Sequence, residues 1–294
     1  MALNQKRLVK PMKKLRRLFS KLDSDPVPEQ VHDLRTNARR FEAAFQALAL
    51  DDAGIPNSVL KDLARLRKRA GKVRDMDVLT EFAATIRPHD EEECHVRLLE
   101  HLGARRQKQA RKLNADVRKL GPVLRKEIDR AASRTVKLLR ANGGGTADNI
   151  GATATATAVK LSAQLASPPR LNKTNLHPYR LKVKDLQNVL LMAEGPSRPR
   201  FVEDLGQVKD AIGEWHDYAE LLAIASKILN HTGRCSLLAD LKRTVESKYD
   251  EALALAVKLR ETYLDKGSRP NKKGPAAAGT PRPPVWEAMA QLAG

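Results

Sequence analysis

The sequence predicts an all-α fold, and three observations support that prediction. Residues that favour helices (Ala, Leu, Arg, Lys and Glu) predominate, and no run of β-branched or aromatic residues alternates with a period of two. Apolar residues recur instead at spacings of three and four, which places them on one face of a helix. Clusters of Gly, Pro, Asn and Asp separate these segments, as turns between helices do.

The periodic segments predict eight helices in chain order. The first four cover about residues 6–22, 28–50, 58–86 and 91–140, with an interruption of the last at Gly121 and Pro122. The other four cover about residues 152–166, 175–194, 200–229 and 236–266. Residues that favour turns divide the helices. They occur in segment 23–28, the turn 51–57, Pro88, the triple glycine 143–145 and the Ser-Pro-Pro segment 167–169.

The same breaks predict the organisation of the chain. We expect a first repeat over residues 1–142, a linker over 143–151 and a second repeat over 152–266. The tail 267–294 is rich in Gly, Pro and Lys, which predicts disorder, although residues 285–292 could form a short amphipathic helix.

The charge of the chain points to an anionic partner. The 294 residues include 54 Lys and Arg against 35 Asp and Glu, for a formal net charge of +19. Nucleic acid, an anionic membrane surface or a phosphate polymer would each suit this charge. Aromatic residues make up only 4% of the chain, which argues against base stacking on single strands. The sequence contains no apolar run of about 18 residues, so it predicts no membrane span.

Two further features bear on the cell compartment. The two cysteines, Cys94 and Cys235, cannot form a disulfide framework, and they suit a reducing cytosol. Residues 1–19 are basic and free of acids, which would also fit an organelle transit peptide. We interpret them instead as a first basic helix.

A pattern of basic residues occurs once in each half of the chain. His32, Arg35 and Arg39 recur as His177, Arg180 and Lys184, at an offset of 145 residues. These positions lie within about 60° of one another on a helix, and the opposite face carries apolar residues in both copies. The apolar positions are Leu34, Ala38, Phe41, Phe45 and Leu48 in the first copy, and Tyr179, Val183, Leu186, Leu190 and Ala193 in the second.

A second matched pattern lies downstream at an offset of 142 residues. It comprises Arg67, Gly71, Arg74 and Asp75 in the first half and Lys209, Gly213, His216 and Asp217 in the second. The change in offset fits a different loop length between the paired helices. Helices rich in Ala, Leu and Arg resemble one another by composition alone, but here the His and Gly positions also align, which favours an internal repeat.

The basic stripes indicate an anion-binding surface. A solvated helix face normally interleaves acids with bases, yet neither stripe contains an acid among its three members. The stretch after His95 has the same bias, with Arg97, Arg105, Arg106, Lys108, Arg111, Lys112, Arg118 and Lys119. Arg presents forked donors that match phosphate oxygens. Like charge disfavours protonation, so we expect the histidines to be mostly neutral before an anion binds.

Three segments of the sequence carry a family resemblance. VHDLRTNARRF, KRAGKVRDMDVL and LHPYRLKVKDL resemble the conserved histidine α-helical domain, the CHAD domain, over about residues 6–264. The resemblance implies an internally duplicated pair of four-helix bundles with a basic central groove. It also implies binding of inorganic polyphosphate without catalysis, in the cytoplasm and in association with polyphosphate granules. No cofactor is implied.

The resemblance also implies which residues bind polyphosphate. In the first half these are His32, Arg35, Arg39, Arg40, Arg67 and Arg74, with Arg105 and Arg106 from the basic stretch. In the second half they are His177, Arg180, Lys184, Lys209 and His216. Leu181, Asp185 and Gln187 stand where the family often has bases, so we expect the second half to contribute less charge. Asp75 and Asp77 are expected to orient nearby Arg or Lys side chains.

The sequence gives little support for a metal site or an enzyme. His89, Cys94, His95 and His101 lie near Glu91, Glu92 and Glu93, but their spacing fits no zinc pattern, and a solvated acidic turn is preferred. The sequence lacks the motifs that would argue for an enzyme. It contains no phosphate-binding loop motif, no ExExK strand of the triphosphate-tunnel enzymes and no evident nucleophile–base pair. A general polyanion-binding or nucleic-acid-binding protein is the main alternative, and a helical adaptor without a polyanion ligand is the third.

Overall fold

The computed structural model describes residues 5–22, 25–47, 56–86, 92–140, 146–192, 199–229 and 236–264. Within these ranges the chain is all-α, as predicted, and it contains eight helices. They are α1 (Gln5–Lys21), α2 (Pro28–Ala47), α3 (Asn57–Thr85), α4 (Glu92–Arg140), α5 (Thr146–Ala166), α6 (Leu176–Leu191), α7 (Pro199–Ile228) and α8 (Ser236–Tyr263). None of these helices is long and apolar enough to cross a membrane.

The predicted interruption of the fourth helix is wrong. Helix α4 continues through Pro122, although proline lacks the N–H that would bond to the carbonyl of Arg118. Pro122 lies on the exposed side, while Val117 and Leu124 on either side of it are buried in the core. Burial of an unbroken apolar face therefore keeps the helix continuous where the local sequence favours a break.

The predicted linker is also too long. Helix α5 begins at Thr146, so residues 146–151 belong to the helix. Thr155 donates its hydroxyl proton to the carbonyl of Gly151 at 3.0 Å, a bond to the preceding helical turn. The other predicted ends agree with the structure to within three residues. The short helix predicted over 285–292 lies outside the described residues.

The helices pack as two sets that share their apolar interior. In the first set α1 contacts α2 and α4, and α3 contacts α2 and α4, while α5, α6, α7 and α8 contact one another in chain order. The sets meet where α2 contacts α6 and where α3 contacts α7. One apolar cluster draws side chains from all eight helices, and a second joins the ends of α3, α4, α7 and α8. Helices α2, α3, α6 and α7 are thereby fixed side by side.

Candidate functional site

The apolar faces of α2 and α6 set the orientation of their basic stripes. Leu34, Ala38 and Phe41 on α2 are buried, as are Val183 and Leu186 on α6. These faces pack inward, and Arg35 and Arg39 of α2 lie close to Lys184 of α6 where the two helices meet. The amphipathic pattern in each half of the sequence therefore brings bases from both halves together.

The bases that meet at this contact form what we call the basic cluster. It consists of Arg35, Arg39, Arg180, Lys184 and Lys209. The other four bases of the cluster lie near enough to repel the ammonium of Lys184. Two of them come from α2, one from α6 and one from α7. Asp185 is the carboxylate that lies close to Arg39.

Burial and repulsion change the ionisation of Lys184. Burial of the ammonium, followed by the charges of Arg39 and Arg35 and then of Arg180 and Lys209, lowers its pKa from 10.5 to about 6. At pH 7 this side chain is therefore mostly neutral in the empty protein. A polyanion placed in the basic cluster would favour its protonation.

Two glycines let arginines lie across the neighbouring helix. A Cβ atom added at Gly213 of α7 would lie 2.5 Å from Nη2 of Arg180, inside van der Waals contact. The Nε of Arg180 donates to the carbonyl of Lys209 at 2.9 Å, which holds the guanidinium in this position. A Cβ at Gly71 of α3 would lie 3.5 Å from Nε of Arg35, an ordinary contact. The two contacts occupy equivalent positions of the predicted repeat, and the contact in the second half is tighter.

Carboxylates lie among the bases. Asp75 Oδ1 lies 3.9 Å from Nη2 of Arg35, a loose ion pair beyond hydrogen-bond distance, so an orienting role for Asp75 stays a prediction. Burial raises the pKa of Asp217 to about 6, with Asp75 and Glu220 raising it further and Arg180 opposing the change. Burial also raises the pKa of Asp185, despite the attraction of Arg39. Sequence reasoning did not assign Asp217 or Glu220 to the site. Asp217 aligns with Asp75 in the predicted repeat, which was a signal for it, whereas Glu220 has no counterpart in that pattern.

The three histidines of the site differ in their surroundings. The rings of His177 and His216 lie 4.1 Å apart between centroids, and Nδ1 of His177 is buried without a hydrogen-bond partner among the described residues. His32 is exposed, and its Nε2 lies 3.4 Å from the hydroxyl of Thr36. The pKa of each histidine is lowered, as predicted, but burial contributes more than the neighbouring positive charge.

The remaining predicted ligands near the basic cluster have partners of their own. Nε of Arg67 pairs with Oε2 of Glu42 at 2.6 Å. Nζ of Lys209 lies 3.2 Å from Oδ1 of Asp210 and 3.4 Å from Oε1 of Gln187. An incoming anion must therefore compete with these contacts.

Arg74 and Arg40 flank His32. Both lie near enough to the imidazole to lower its pKa, and Arg74 also lies near Asp75. Arg40 is exposed on the side of α2 that faces α1.

Two predicted ligands on α4 lie apart from this group. Arg106 donates to Oδ1 of Asp77 at 2.6 Å, to Oδ1 of Asp25 at 3.1 Å and to the carbonyl of Pro26 at 2.7 Å. Its guanidinium therefore ties α4 to α3 and to the segment before α2, and Asp77 orients an arginine as predicted. Arg105 is an exposed residue of α4.

The acidic segment before α4 shows no metal-binding geometry where the structure describes it. No group of three or more His, Cys, Asp or Glu side chains that could hold a metal occurs in the described ranges, although these leave out His89 and Glu91. Cys94 is buried, and Nε2 of His95 lies 2.8 Å from the carbonyl oxygen of Ala83.

Comparisons with known proteins agree with the fold. The family model of the CHAD domain matches residues 8–226. The crystal structure of the CHAD domain from the plant Ricinus communis is similar to this chain, with a TM-score of 0.57 and 16% sequence identity. That match covers 98% of this chain and 89% of the plant chain. No curated protein matches the sequence.

Proposed function

The chain belongs to the CHAD domain family, and on that premise we propose that it binds inorganic polyphosphate at the basic cluster. The observation that supports this function best is the convergence of Arg35, Arg39, Arg180 and Lys184 on one contact between the two halves. Like charges held this close repel one another, and a linear chain of phosphates would remove that repulsion.

The chemistry of the cluster suits phosphate oxygens. Each guanidinium can donate two parallel hydrogen bonds to one phosphate group, and the partly buried position strengthens these bonds relative to bulk water. Lys184 adds a further positive charge once it takes up a proton. The neutral imidazoles of His32 and His216 can each donate one N–H to an oxygen.

We propose that the protein binds without turnover. Phosphoryl transfer requires a positioned nucleophile and metal ions or arginines aimed at the leaving oxygen. The carboxylates of the site, Asp75, Asp185 and Asp217, lie close to arginines, which is typical of groups that orient cations. Such a binder would act in the cytoplasm, at polyphosphate granules.

A binding isotherm of the full chain with long-chain polyphosphate, repeated at several salt concentrations, tests the proposal. We expect Arg35→Ala combined with Arg39→Ala to weaken binding at least about a hundredfold, because each charge-assisted hydrogen bond contributes about 1.5–3 kcal/mol and each lost guanidinium removes at least one. Lys112→Ala combined with Arg118→Ala removes the same charge from an exposed face of α4 and serves as the matched control. Equal affinity in the two double variants would contradict the proposed site and would favour a helical adaptor.

A general nucleic-acid-binding function is the second candidate, and the net charge of +19 favours it. Competition at fixed salt separates the two. The two polymers are compared at equal concentrations of phosphate groups. If the basic cluster selects a thin polymer without bases, displacing bound duplex DNA with polyphosphate takes a lower concentration than displacing bound polyphosphate with DNA. The reverse order would favour nucleic acid.

A further inference from the structure

A cavity of about 220 Å³ lies beside the α2–α6 contact and is lined by these two helices and by α1. We call it the α1 cavity. Its walls come from residues 7–14 of α1, residues 37–44 of α2 and residues 188–191 of α6, together with Met192. Apart from Arg40, none of its lining residues belongs to the predicted polyphosphate ligands.

The rim of the α1 cavity is cationic. Arg7, Lys10, Lys14 and Arg40 line it, and no Asp or Glu does. Lys10 and Arg40 form no ion pair with any described residue. Lys14 pairs with Asp33 at 3.7 Å, but both side chains are nearly half exposed, which makes this pair weak. Nη1 of Arg7 donates to the carbonyl of Leu191 at 3.2 Å, so Lys10, Lys14 and Arg40 are the cations of the rim most available to an anion.

The floor of the same cavity is apolar. Leu8, Pro11 and Ala44 form it and are buried, and Met192 lies beside them. Leu191 lines the mouth with 39% of its surface exposed. A ligand with an apolar body would cover Leu191 and would displace water from the floor.

One polar group in the wall lacks a partner. Asn188 lines the cavity, and its amide nitrogen Nδ2 is buried without an acceptor among the described residues. A buried donor without an acceptor is uncommon in folded proteins, and a bound anion would supply one. This observation is independent of the charge of the rim.

We infer that the α1 cavity binds a small amphiphilic anion, a carboxylate or phosphate monoester attached to a single short apolar body. The cationic rim and the Asn188 amide would hold the acidic group, and Leu8, Ala44 and Leu191 would contact the apolar part. A cavity of about 150 Å³ holds benzene, so by proportion this one accepts an apolar body of about nine non-hydrogen atoms, with the acidic group at the rim. Polyphosphate has no apolar surface to match the floor, and this inference does not rest on the proposed function.

Calorimetric titration of the full chain with octanoate and with octyl phosphate tests the inference. Saturable binding of either probe at one site is expected, and the tighter of the two identifies the preferred acidic group. Octanol carries only the apolar part and inorganic phosphate only the charge, so we expect each to bind at least tenfold more weakly. Absence of saturable binding by both amphiphiles would overturn the inference, as would equally tight binding of inorganic phosphate or octanol.

Paired variants assign the binding to this cavity. Leu191→Glu places an acid at the mouth on a side chain that is already 39% exposed, and we expect it to weaken octanoate binding at least tenfold. Val257→Glu makes the same change on α8, where Val257 is 38% exposed, and should leave binding unchanged. Lys10→Gln, also at an exposed position, should weaken binding severalfold. Equal affinity of the Leu191→Glu and Val257→Glu proteins would place the ligand elsewhere and overturn the assignment.

Discussion

The two halves of the site carry the same residue pattern in different surroundings. In the first half His32 is exposed and Arg35 lies over Gly71 at an ordinary contact distance. In the second half Arg180 is pressed against Gly213 and hydrogen-bonds to the backbone of α7, and burial lowers its pKa. The bases of both halves are half-buried, so the halves differ in the exposure of the first histidine and in the tighter fixing of the second arginine.

This difference shows how residue type, burial and neighbouring charge together change what a repeated base does. Lys184 corresponds to Arg39 in the predicted repeat, yet its ammonium is mostly neutral at pH 7 because burial and four neighbouring cations lower its pKa to about 6. A lysine can respond to burial by losing its proton, whereas an arginine keeps its charge. We therefore expect the second half to make polyphosphate binding sensitive to pH.

The largest expected effect is on affinity as a function of pH. In the empty protein the pKa of Lys184 is about 6, and bound polyphosphate raises it, so the complex takes up a proton above pH 6. Affinity should fall as pH rises, by up to about tenfold per pH unit for one proton. The lowered histidine pKa values act in the same direction.

Titrations of polyphosphate binding from pH 6 to pH 8 at constant ionic strength measure this effect. Lys184→Met should flatten the profile, since the methionine cannot take up a proton, while Lys112→Met on α4 should leave the slope unchanged. A profile of the same slope in the wild-type and Lys184→Met proteins would show that Lys184 does not titrate on binding.

The next largest effect is on stability. Folding lowers the pKa of Lys184 from 10.5 to about 6, so the unfolded chain binds more protons between these values and stability rises with pH across that window. Lys184→Met removes this penalty, and we expect the free energy of unfolding to increase by about 1–3 kcal/mol at pH 7.

Urea denaturation at pH 7 and at pH 10 checks the sign. The gain from Lys184→Met should be larger at pH 7 and small at pH 10, because pH 10 lies close to the ordinary lysine pKa of 10.5 that applies to the unfolded chain and little of the penalty remains there. A loss of stability at pH 7 would mean that the ammonium is charged and compensated in the folded protein. If Lys184→Met unfolds with a higher free energy and also binds polyphosphate more weakly, the basic cluster is kept for its ligand at the expense of stability.

Much of this architecture could be predicted from the sequence, because helix periodicity and the paired stripes are local patterns. The convergence of Arg35 and Arg180 follows from amphipathic faces that pack together. Distances between elements could not be predicted in the same way. Arg106 resembles the other bases in the sequence, yet Asp77 of α3 and Asp25 engage its guanidinium. The neutral state of Lys184 likewise depends on burial and on charges from three helices.

The smallest effect distinguishes the two glycines. Replacing a helical glycine with alanine stabilises an unstrained helix by about 0.8–1.0 kcal/mol. Gly71→Ala adds a Cβ at 3.5 Å from Arg35 Nε, an ordinary contact, so we expect a gain of roughly that size. Gly213→Ala places a Cβ at 2.5 Å from Arg180 Nη2, which displaces the guanidinium and breaks its bond to the carbonyl of Lys209. Losing that bond costs about 1–3 kcal/mol and outweighs the helix gain.

Thermal or urea unfolding of the two alanine variants should therefore give shifts of opposite sign. The double variant Arg180→Ala with Gly213→Ala supplies the control. In it the alanine at position 213 no longer meets a guanidinium, so adding Gly213→Ala to Arg180→Ala should cause no loss of stability. If Gly71→Ala and Gly213→Ala shift stability equally, the arginine of the second half is free to move aside. The distinction between a loosely held first arginine and a tightly fixed second one would then fail, because Arg180 would be as adaptable as Arg35 and only the exposure of the histidines would separate the two copies.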